Sequence, residues 1–391
     1  MKKLNRLCPV CGNCNDANRI YTCYMHNGLA TFLPSTYDII ECKKCGMCYA
    51  DTSATQKDYD MYYSECNNYA GVQSIKKQDE ALYKSIVEEL SRLVSNDASV
   101  IDIGFGRGDF LMFLRDVGYV NLSGIDPSSY SVEQIKKQGI NAFIGNVYNV
   151  DEFPSVYNVA YLGGVIEHLL YPALAIKKIY KILKDDGLFI IVYPDFSDMS
   201  EDNYDIASNF NLEHINYFSK YTVDNLCIKN GFEPIKNIRC ISFQSKDSTQ
   251  YGIIGIYRKR DFAAYNQLKI PYDSVTATSI NQYINRIKEK ENSTIDIIKK
   301  YACDGKIVSV WGTGQYTLRL LATSALSECN IEYYIDSNPT KIGTIFEGKK
   351  IQAPDILKYF SGTLFVSSMM YADEIIKSVY KLNKNLEIIK L

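Results

Sequence analysis

Histidine and tryptophan are scarce in this chain, and neither sign of charge dominates it. Three histidines, at positions 26, 168 and 214, and one tryptophan occur among its 391 residues. The 43 basic and 45 acidic side chains are mixed along the sequence and leave a net charge of −2. A large basic surface for nucleic acid or for an anionic membrane is therefore not expected.

Long apolar runs are lacking as well. No stretch approaches the roughly 20 apolar residues that cross a bilayer, and the first six residues contain no apolar signal core. The expectation is a cytoplasmic protein whose partners include neither a membrane nor a nucleic acid. Its length favours two or three domains. Twelve cysteines without a secretion signal favour reduced thiols and metal binding over disulfides.

Four of the cysteines form two C-x2-C pairs near the N-terminus. Cys8 and Cys11 make up the first pair, Cys42 and Cys45 the second, and a glycine follows each pair. Four thiolates on two tight turns suit a closed, structural Zn²⁺ site, which has no open position for catalysis. Free buried thiols are the alternative to zinc, and a nucleic-acid-binding ribbon is an alternative role for the module. Spare ligands nearby are Cys14, Cys23, Cys48 and His26.

A glycine-rich loop follows an apolar strand further along the chain. The sequence from Val100 reads V-I-D-I-G-F-G-R-G, so that Asp102 precedes Gly104, Gly106 and Gly108. A strand that passes through such a turn into a helix presents backbone N–H groups and a helix N-terminus to a ligand. The spacing differs from the G-x-G-x-x-G of dinucleotide-binding proteins.

The segments after this loop are consistent with one kind of domain. Leu122–Asp126 is predicted to be a second strand whose final carboxylate accepts hydrogen bonds from ribose hydroxyls. A third strand leads into G-G-V-I-E-H (163–168), followed by a helix (173–183), a turn (184–187) and an apolar strand (188–192). The order resembles that of class I S-adenosylmethionine-dependent methyltransferases. The resemblance implies that S-adenosylmethionine is bound by Asp102, Gly104, Gly106, Gly108, Asp126 and Glu167.

A second polar segment, F-N-L-E-H-I-N-Y-F-S (210–219), contains His214 and follows the strand that ends near Pro194. Methyltransferases often carry a substrate-facing insertion at this place. The four cysteines, a tyrosine-rich connector, the class I core and the E-H-x-x-Y-F-S segment together resemble the bacterial deoxysugar C-methyltransferases. Those enzymes methylate C3 of nucleotide-linked 4-keto-6-deoxysugars. A C-terminal D-S-N-P-T-K-I-G run (336–343) also matches the family, so the resemblance covers almost the whole chain.

The resemblance implies that His214 removes the proton next to the sugar ketone and that the enolate carbon then attacks the methyl group. Glu213 would support the imidazole or hold a sugar hydroxyl. The family's Y-H-E-H pattern reads Asn211-Leu212-Glu213-His214 here, so its tyrosine and its first histidine are replaced. Another tyrosine is then expected to stabilise the enolate. Tyr69 is the catalytic candidate, with Tyr62, Tyr63 and Tyr217 as alternatives.

Other functions stay open at this point. O-methylation of a sugar hydroxyl, or of another small-molecule acceptor, requires no enolate donor. A non-enzymatic binding module would instead show a broken cofactor loop or a basic stripe. His214 could also be a histidine that only hydrogen-bonds backbone at the entry to a helix. His168 is expected to be structural, because Gly164 replaces the first carboxylate of the E-x-x-E-H metal pattern.

The C-terminal third begins a second α/β unit. A helix (279–301) is predicted to lead to I-V-S-V-W-G-T-G-Q (307–315), in which Thr317 replaces the third glycine of a dinucleotide-binding loop. This unit is expected to hold the nucleotide of the substrate or to close over its sugar, rather than to bind NAD. A purely structural lobe is the alternative.

The fold class predicted from these patterns is α/β. Residues 1–70 are assigned to a zinc module with its connector and residues 71–260 to a class I methyltransferase Rossmann-like core. Residues 261–391 are assigned to a second, Rossmann-like domain. No oligomeric state is predicted.

Overall fold

The computed structural model describes residues 4–13, 15–26, 33–65, 77–153, 156–246, 248–261, 271–369 and 371–391. The strands are β1 Ala17–Tyr24, β2 Thr36–Cys42, β3 Cys48–Asp51, β4 Val100–Ile103, β5 Leu122–Asp126, β6 Asn141–Ile144, β7 Tyr157–Gly163, β8 Leu183–Pro194, β9 Asn216–Tyr217, β10 Phe232–Gln244, β11 Thr249–Lys259, β12 Ile307–Trp311, β13 Asn330–Ile335, β14 Ile345–Phe346, β15 Lys349–Lys350, β16 Thr363–Val366 and β17 Glu387–Lys390. The α-helices are α1 Gln56–Glu65, α2 Lys77–Leu90, α3 Asp109–Asp116, α4 Ser129–Lys137, α5 Pro172–Ile182, α6 Ile206–Asn209, α7 Lys220–Ile228, α8 Thr276–Asp304, α9 Gln315–Thr323 and α10 Ala372–Leu382.

A seven-stranded mixed sheet forms the central domain, with the order β10-β11-β8-β7-β4-β5-β6. The strands from β8 to β6 are parallel neighbours, whereas β11 runs antiparallel to β8 and β10. The chain leaves β4 toward β5 on one side and returns to β7 on the other. Such a reversal opens a crevice at the carboxyl ends of the two central strands, where open α/β sheets bind ligands.

Strand β8 begins earlier than the sequence predicts. It starts at Leu183, directly after α5, and Leu183 pairs with Tyr157 while Leu188 pairs with Val159. The predicted turn at 184–187 is therefore an irregularity within the strand rather than its start. Asp186 accommodates it with a φ of 59°, in the left-handed region.

The N-terminal sheet is completed by a strand from the central domain. Its order is β1-β2-β3-β9, and β9 belongs to the insertion that follows β8. Cys48 of β3 pairs with Tyr217, and Tyr49 pairs with Asn216, in antiparallel register. The cysteine-bearing module is thus joined through backbone hydrogen bonds to the segment that carries His214. The domain boundaries at 70 and 260 stay predictions.

The C-terminal unit contains the predicted second parallel sheet, with the order β13-β12-β16-β17. Helix α8 leads into it and extends beyond the predicted 279–301 at both ends. The Asp273 carboxylate fixes its start, since it accepts hydrogen bonds from the backbone N–H groups of Val275 and Thr276 at 3.0 and 3.1 Å. No described helix, α8 included, is both long and apolar enough to cross a membrane.

A buried ion pair within the C-terminal unit is hydrogen-bonded to the N-terminal sheet. Arg319 of α9 contacts Glu291 of α8 with an Nη2–Oε2 distance of 2.8 Å, and it donates to the Tyr21 hydroxyl of β1 at 3.1 Å. The two charged side chains are only 6% and 8% exposed. They lie among the apolar side chains that connect the N-terminal sheet with α8 and α9. Their pairing therefore fixes how these three elements meet.

Replacing Arg319 with alanine should destabilise the fold by about 3–5 kcal/mol, because Glu291 would be left buried and unpaired. Chemical denaturation with two spectroscopic probes measures the change. The double variant Arg319→Met/Glu291→Leu is the control, and it should recover most of the lost stability because neither charge remains. A single variant as stable as the wild type would contradict this account of the joint.

Candidate active site and thiolate cluster

The four predicted zinc ligands lie together. Their sulfur atoms are all within 4.8 Å of one another, and the Cys8–Cys45 and Cys11–Cys42 Sγ distances are both 3.5 Å. A tetrahedral Zn²⁺ with Zn–S bonds of about 2.3 Å places its sulfurs about 3.8 Å apart. The cluster could therefore hold a zinc ion with little movement.

Two glycine turns bring these cysteines into position. Gly12 and Gly46 have φ values of 71° and 78°, and each donates its backbone N–H to the carbonyl of the first cysteine of its pair. A Cβ on Gly46 would lie 2.0 Å from the carbonyl oxygen of Asp273, so a side chain does not fit there. Hydrogen bonds from the other thiols, with Cys11 first, lower the pKa of Cys42 and favour a thiolate in the cluster. Of the spare ligands, Cys23, Cys48 and His26 lie outside the cluster, and Cys14 is not among the described residues.

The predicted cofactor loop connects β4 to α3. Gly104, Gly106 and Gly108 all have positive φ, between 55° and 78°. A Cβ on Gly104 would lie 2.8 Å from a methyl of Val165, and one on Gly108 would lie 2.1 Å from Ile135 Cδ1. The glycines are thus required both by the turn and by the close approach of its neighbours. Their backbone leaves room for a ligand against the start of α3.

Asp126 closes this loop at the end of β5. One carboxylate oxygen accepts the Gly106 backbone N–H and the other accepts that of Ser128, both at 2.8 Å. Each oxygen retains acceptor capacity for a ribose hydroxyl. Asp102 is 2% exposed, and burial, followed by the nearby Asp126, raises its pKa well above the ordinary value. The two carboxylates therefore make the crevice favourable for a cationic ligand.

Glu167, His168 and His214 meet at the other side of the crevice. The rings of His168 and His214 are in edge contact, with centroids 4.8 Å apart, and His168 Nε2 lies 3.9 Å from Glu167 Oε1. Burial raises the pKa of Glu167 to about 7 and lowers that of His168 to about 4. Burial and the neighbouring His168 lower the pKa of His214 to about 3. Local spacing had not revealed this contact, because His214 comes from a distant segment.

Asn211 takes a structural part in the segment that carries His214. Its side-chain oxygen accepts the backbone N–H groups of Glu213 and His214, each at 2.8 Å. Asn211 thus shapes the turn that presents the Glu213 and His214 side chains. Tyr62 of α1 donates to Glu213 Oε1 at 2.5 Å. This contact brings the tyrosine-rich connector to the predicted catalytic pair.

Arg6 and Asn216 hold the two halves of the site together, and no sequence pattern predicted a role for either residue. The Asn216 amide donates to the carbonyls of Ile166, Glu167 and Leu169 at 3.1, 3.3 and 2.7 Å. The Arg6 guanidinium donates to four oxygens in different segments, at 2.9–3.3 Å. The four acceptors are the carbonyls of Ala50, Leu170 and Ile215 and the side-chain oxygen of Asn216.

His214 also borders a small polar pocket beyond the end of β8, with a cavity volume of about 50 Å³. Aspartates and amides line it together with aromatic and apolar side chains. Arg239 lies over the Tyr251 ring, 3.6 Å from its centroid, and its Nε is 3.6 Å from an oxygen of Asp195. The polar lining consists of Asp195, Asp198, Asp202, Ser208, Asn209, Ser242, Thr249 and Gln250.

The remaining tyrosine candidates differ in position. Tyr217 is fully buried, and its ring packs against Phe196 and Phe210. Tyr69 lies outside the described residues, as does the side chain of Tyr63. Among the described tyrosines that the sequence proposed, Tyr62 is the one in contact with Glu213.

The glycine turn of the C-terminal unit differs from a dinucleotide site. The Asp336 carboxylate at the end of β13 accepts hydrogen bonds from Thr313 N and Oγ1 at 3.2 and 2.6 Å and from Asn338 N at 2.9 Å. Lys341 Nζ lies 3.4 Å from the same carboxylate. The acid that would bind a ribose in a dinucleotide-binding protein is therefore already engaged by its own chain.

The central part of the chain is similar to a known protein family. Residues 75–237 match the family model described as a methyltransferase domain. The matched range includes the glycine loop, Asp126, the Glu167–His168 turn and His214. This part of the chain is therefore a methyltransferase domain. The predicted class I, Rossmann-like α/β fold is confirmed by this match together with the mixed seven-stranded sheet.

Solved methyltransferase structures resemble about half of the chain. An S-adenosylmethionine-dependent methyltransferase of Thermotoga maritima is 21% identical over 46% of this chain and 89% of its own, with a TM-score of 0.37. The N-methyltransferase NodS of Bradyrhizobium japonicum is 14% identical over 47% of this chain and 97% of its own, with a TM-score of 0.36. No curated protein matches the chain at a significant level.

Replacing Cys42 with serine should reduce bound zinc from one equivalent per chain to a small fraction and lower the thermal midpoint, because a structural zinc contributes to folding. Metal analysis and thermal unfolding, with and without a chelator, measure both effects. Cys303→Ser is the control, since Cys303 is exposed and lies outside the cluster. The prediction is wrong if the Cys42 variant keeps its zinc.

The pKa of about 7 at Glu167 predicts pH-dependent cofactor binding. The carboxylate ionises as the pH rises from 6 to 8, so the cationic S-adenosylmethionine should bind more tightly at pH 8. The neighbouring histidines stay neutral throughout this range, because their pKa values are about 4 and 3. Isothermal titration calorimetry at both pH values should show this dependence for the wild type and for the surface control Glu133→Gln, but not for Glu167→Gln.

The same pKa has a consequence for the cofactor-free protein. Glu167 is protonated more readily when folded than when unfolded, so its burial costs stability progressively as the pH rises from about 4.5 to about 7. Glu167→Gln should therefore unfold at a higher denaturant concentration than the wild type at pH 8. Its free energy of unfolding should be larger by up to about 3 kcal/mol. Equal stability of the two proteins at pH 8 would mean that the carboxyl is not buried as described.

Proposed function

We propose that this enzyme transfers a methyl group to the carbon next to the ketone of a nucleotide-linked 4-keto-deoxysugar, through an enolate. Such a product would serve deoxysugar or surface-polysaccharide biosynthesis. The observation that carries the proposal is the position of His214, which contacts the Glu167–His168 turn on one side and borders the polar pocket on the other.

His214 is the proposed base. Its lowered pKa keeps the imidazole neutral at physiological pH, so a lone pair is available to accept the α-proton. A buried imidazolium would need a nearby anion once the proton has moved. Glu213 supplies one, since its charge acts to raise the pKa of His214. The carboxylate is held in turn by the Tyr62 hydroxyl.

The side chains that line the pocket beside His214 are of the kind that bind hydroxyl groups. Asp202 already orients two amides, since it accepts hydrogen bonds from Asn209 at 2.8 Å and from Gln250 at 3.0 Å. Carboxylate and amide oxygens accept hydroxyl protons, and amide N–H groups donate to hydroxyl oxygens. The positive charge of Arg239 near Asp195 and Asp198 offsets part of the negative charge of the lining.

Tyr62 is the proposed donor to the enolate oxygen among the described tyrosines; its single O–H donates to Glu213 Oε1 in this structure and would turn to the enolate when the substrate binds. A hydrogen bond aimed at the developing oxyanion contributes roughly 3–4 kcal/mol to catalysis. Tyr69, named from the sequence, stays a prediction outside the described residues.

O-methylation of a sugar hydroxyl, or of another small-molecule acceptor, is the second candidate function. The observation that favours it is Asn211, whose side-chain oxygen is engaged by the backbone at the place where the family has a tyrosine. Transfer to oxygen requires a base near the hydroxyl but no enolate donor. The polar pocket would serve such an acceptor equally well.

The two candidates are separated by incubation with methyl-labelled S-adenosylmethionine and a panel of nucleotide-linked 4-keto-6-deoxysugars, followed by mass spectrometry and NMR. The C-methylation proposal expects the label on the carbon next to the ketone. It also expects exchange of that carbon's proton in D₂O without any methyl transfer. A label on oxygen would establish the O-methyl alternative, and no product with any keto sugar would overturn the C-methylation proposal.

His214→Gln should lower both the exchange rate and the transfer rate by about 10²–10⁴-fold, because the general base is lost. His26→Gln is the matched control, since His26 pairs with Glu347 outside this cluster, with an Nδ1–Oε1 distance of 3.1 Å. Cofactor binding by calorimetry checks that the variant is folded. Unchanged exchange in a folded His214 variant would assign the base elsewhere.

A further inference from the structure

Glu167, His168 and His214 form a cluster of metal-ligating side chains distinct from the four cysteines. One ligand atom from each residue lies within 4.8 Å of the other two. Two of these residues come from the turn after β7 and the third from the segment before β9. The combination of two imidazoles and one carboxylate is that of many open, three-ligand zinc sites, in which a fourth position is left for water or substrate.

The orientation of His168 is fixed by its second ring nitrogen. Its Nδ1 lies 3.1 Å from the backbone carbonyl oxygen of Glu213, and a carbonyl can only accept, so this nitrogen carries the proton. Nε2 is then the unprotonated nitrogen, and it lies 3.9 Å from Glu167 Oε1. A histidine that donates one N–H to a backbone carbonyl and presents its other nitrogen is the usual arrangement at metal sites.

Two polar atoms of the cluster are buried without a hydrogen-bond partner among the described residues. They are Oε2 of Glu167 and Nδ1 of His214. Glu167 as a whole is 3% exposed. Buried polar atoms are nearly always satisfied in folded proteins, so two such atoms in one cluster indicate that the cluster binds a further group.

We propose that Glu167, His168 and His214 form a second metal site, which binds a single divalent ion of the Zn²⁺ type. Nitrogen and carboxylate ligands at about 2.1 Å from a tetrahedral ion are about 3.4 Å apart. The observed separations of 3.9 Å and at most 4.8 Å require rotations that move the ligand atoms by about 1 Å.

This site has a consequence for the reaction, which rests on the function proposed for His214. When the imidazole of His214 coordinates an ion through its lone pair, that lone pair can no longer accept the substrate proton. Excess Zn²⁺ should therefore inhibit proton exchange and methyl transfer, whereas the zinc of the four-cysteine cluster should not.

The test begins with full-length protein that already holds one equivalent of Zn²⁺ in the cysteine cluster. Titration with Co²⁺ should show one further equivalent, with visible d–d absorption and without new thiolate charge-transfer bands. Glu167→Gln and His168→Gln should each lose this second equivalent, and His26→Gln, the matched histidine control, should keep it. Circular dichroism and the retained first zinc equivalent verify that every variant is folded.

The absence of a second equivalent in the wild type would overturn the proposal. So would a second equivalent that persists in both the Glu167 and the His168 variant, since the ion would then lie elsewhere. The titration uses no sugar, so its outcome is independent of whether His214 acts on a keto sugar. Loss of D₂O exchange on adding the second equivalent tests the inhibitory consequence separately.

Discussion

The candidate active site depends on one set of hydrogen bonds, in which Arg6 ties the N-terminal module to the two segments that form the site. Its guanidinium donates to the carbonyl of Leu170, after the Glu167–His168 turn, and to that of Ile215, directly after His214. It also donates to the side-chain oxygen of Asn216, whose amide nitrogen donates to the carbonyl of Ile166. Through these bonds the guanidinium satisfies backbone oxygens of Leu170 and Ile215 in two irregular segments. By satisfying them, the N-terminal module fixes the distance between groups that the chain places far apart, and the cysteine cluster in turn fixes the module.

The electrostatics of the site follow from its burial. Glu167 and Asp102 hold protons more tightly than usual, while His168 and His214 hold them less tightly, so burial shifts all four side chains toward their neutral forms. A cationic cofactor changes this balance, since it favours ionised carboxylates beside it. Methyl transfer then removes the sulfonium charge. The charge of the cofactor and the protonation of these residues should therefore change together during the reaction.

The sequence predicted those features whose chemistry is local. The C-x2-C pairs with their glycines and the D-x-G-x-G-x-G loop depend on contacts within a few residues, and the structure builds the corresponding turns. The alternating strands and helices likewise predicted both α/β units. The prediction of a turn at 184–187 before the strand was wrong, because β8 already begins at Leu183, which pairs with Tyr157.

By itself the sequence determined the fold class, the reaction class and the residues with reactive side chains. Only the tertiary structure decided which of them meet. The contact between His168 and His214, the Tyr62–Glu213 hydrogen bond and the pocket beyond β8 all join segments far apart in the chain. Hydrophobic periodicity and turn chemistry specify local geometry, but they contain no information on the distance between two remote loops. That distance is set by how the sheets pack and by buried polar groups such as Arg6, which must find partners.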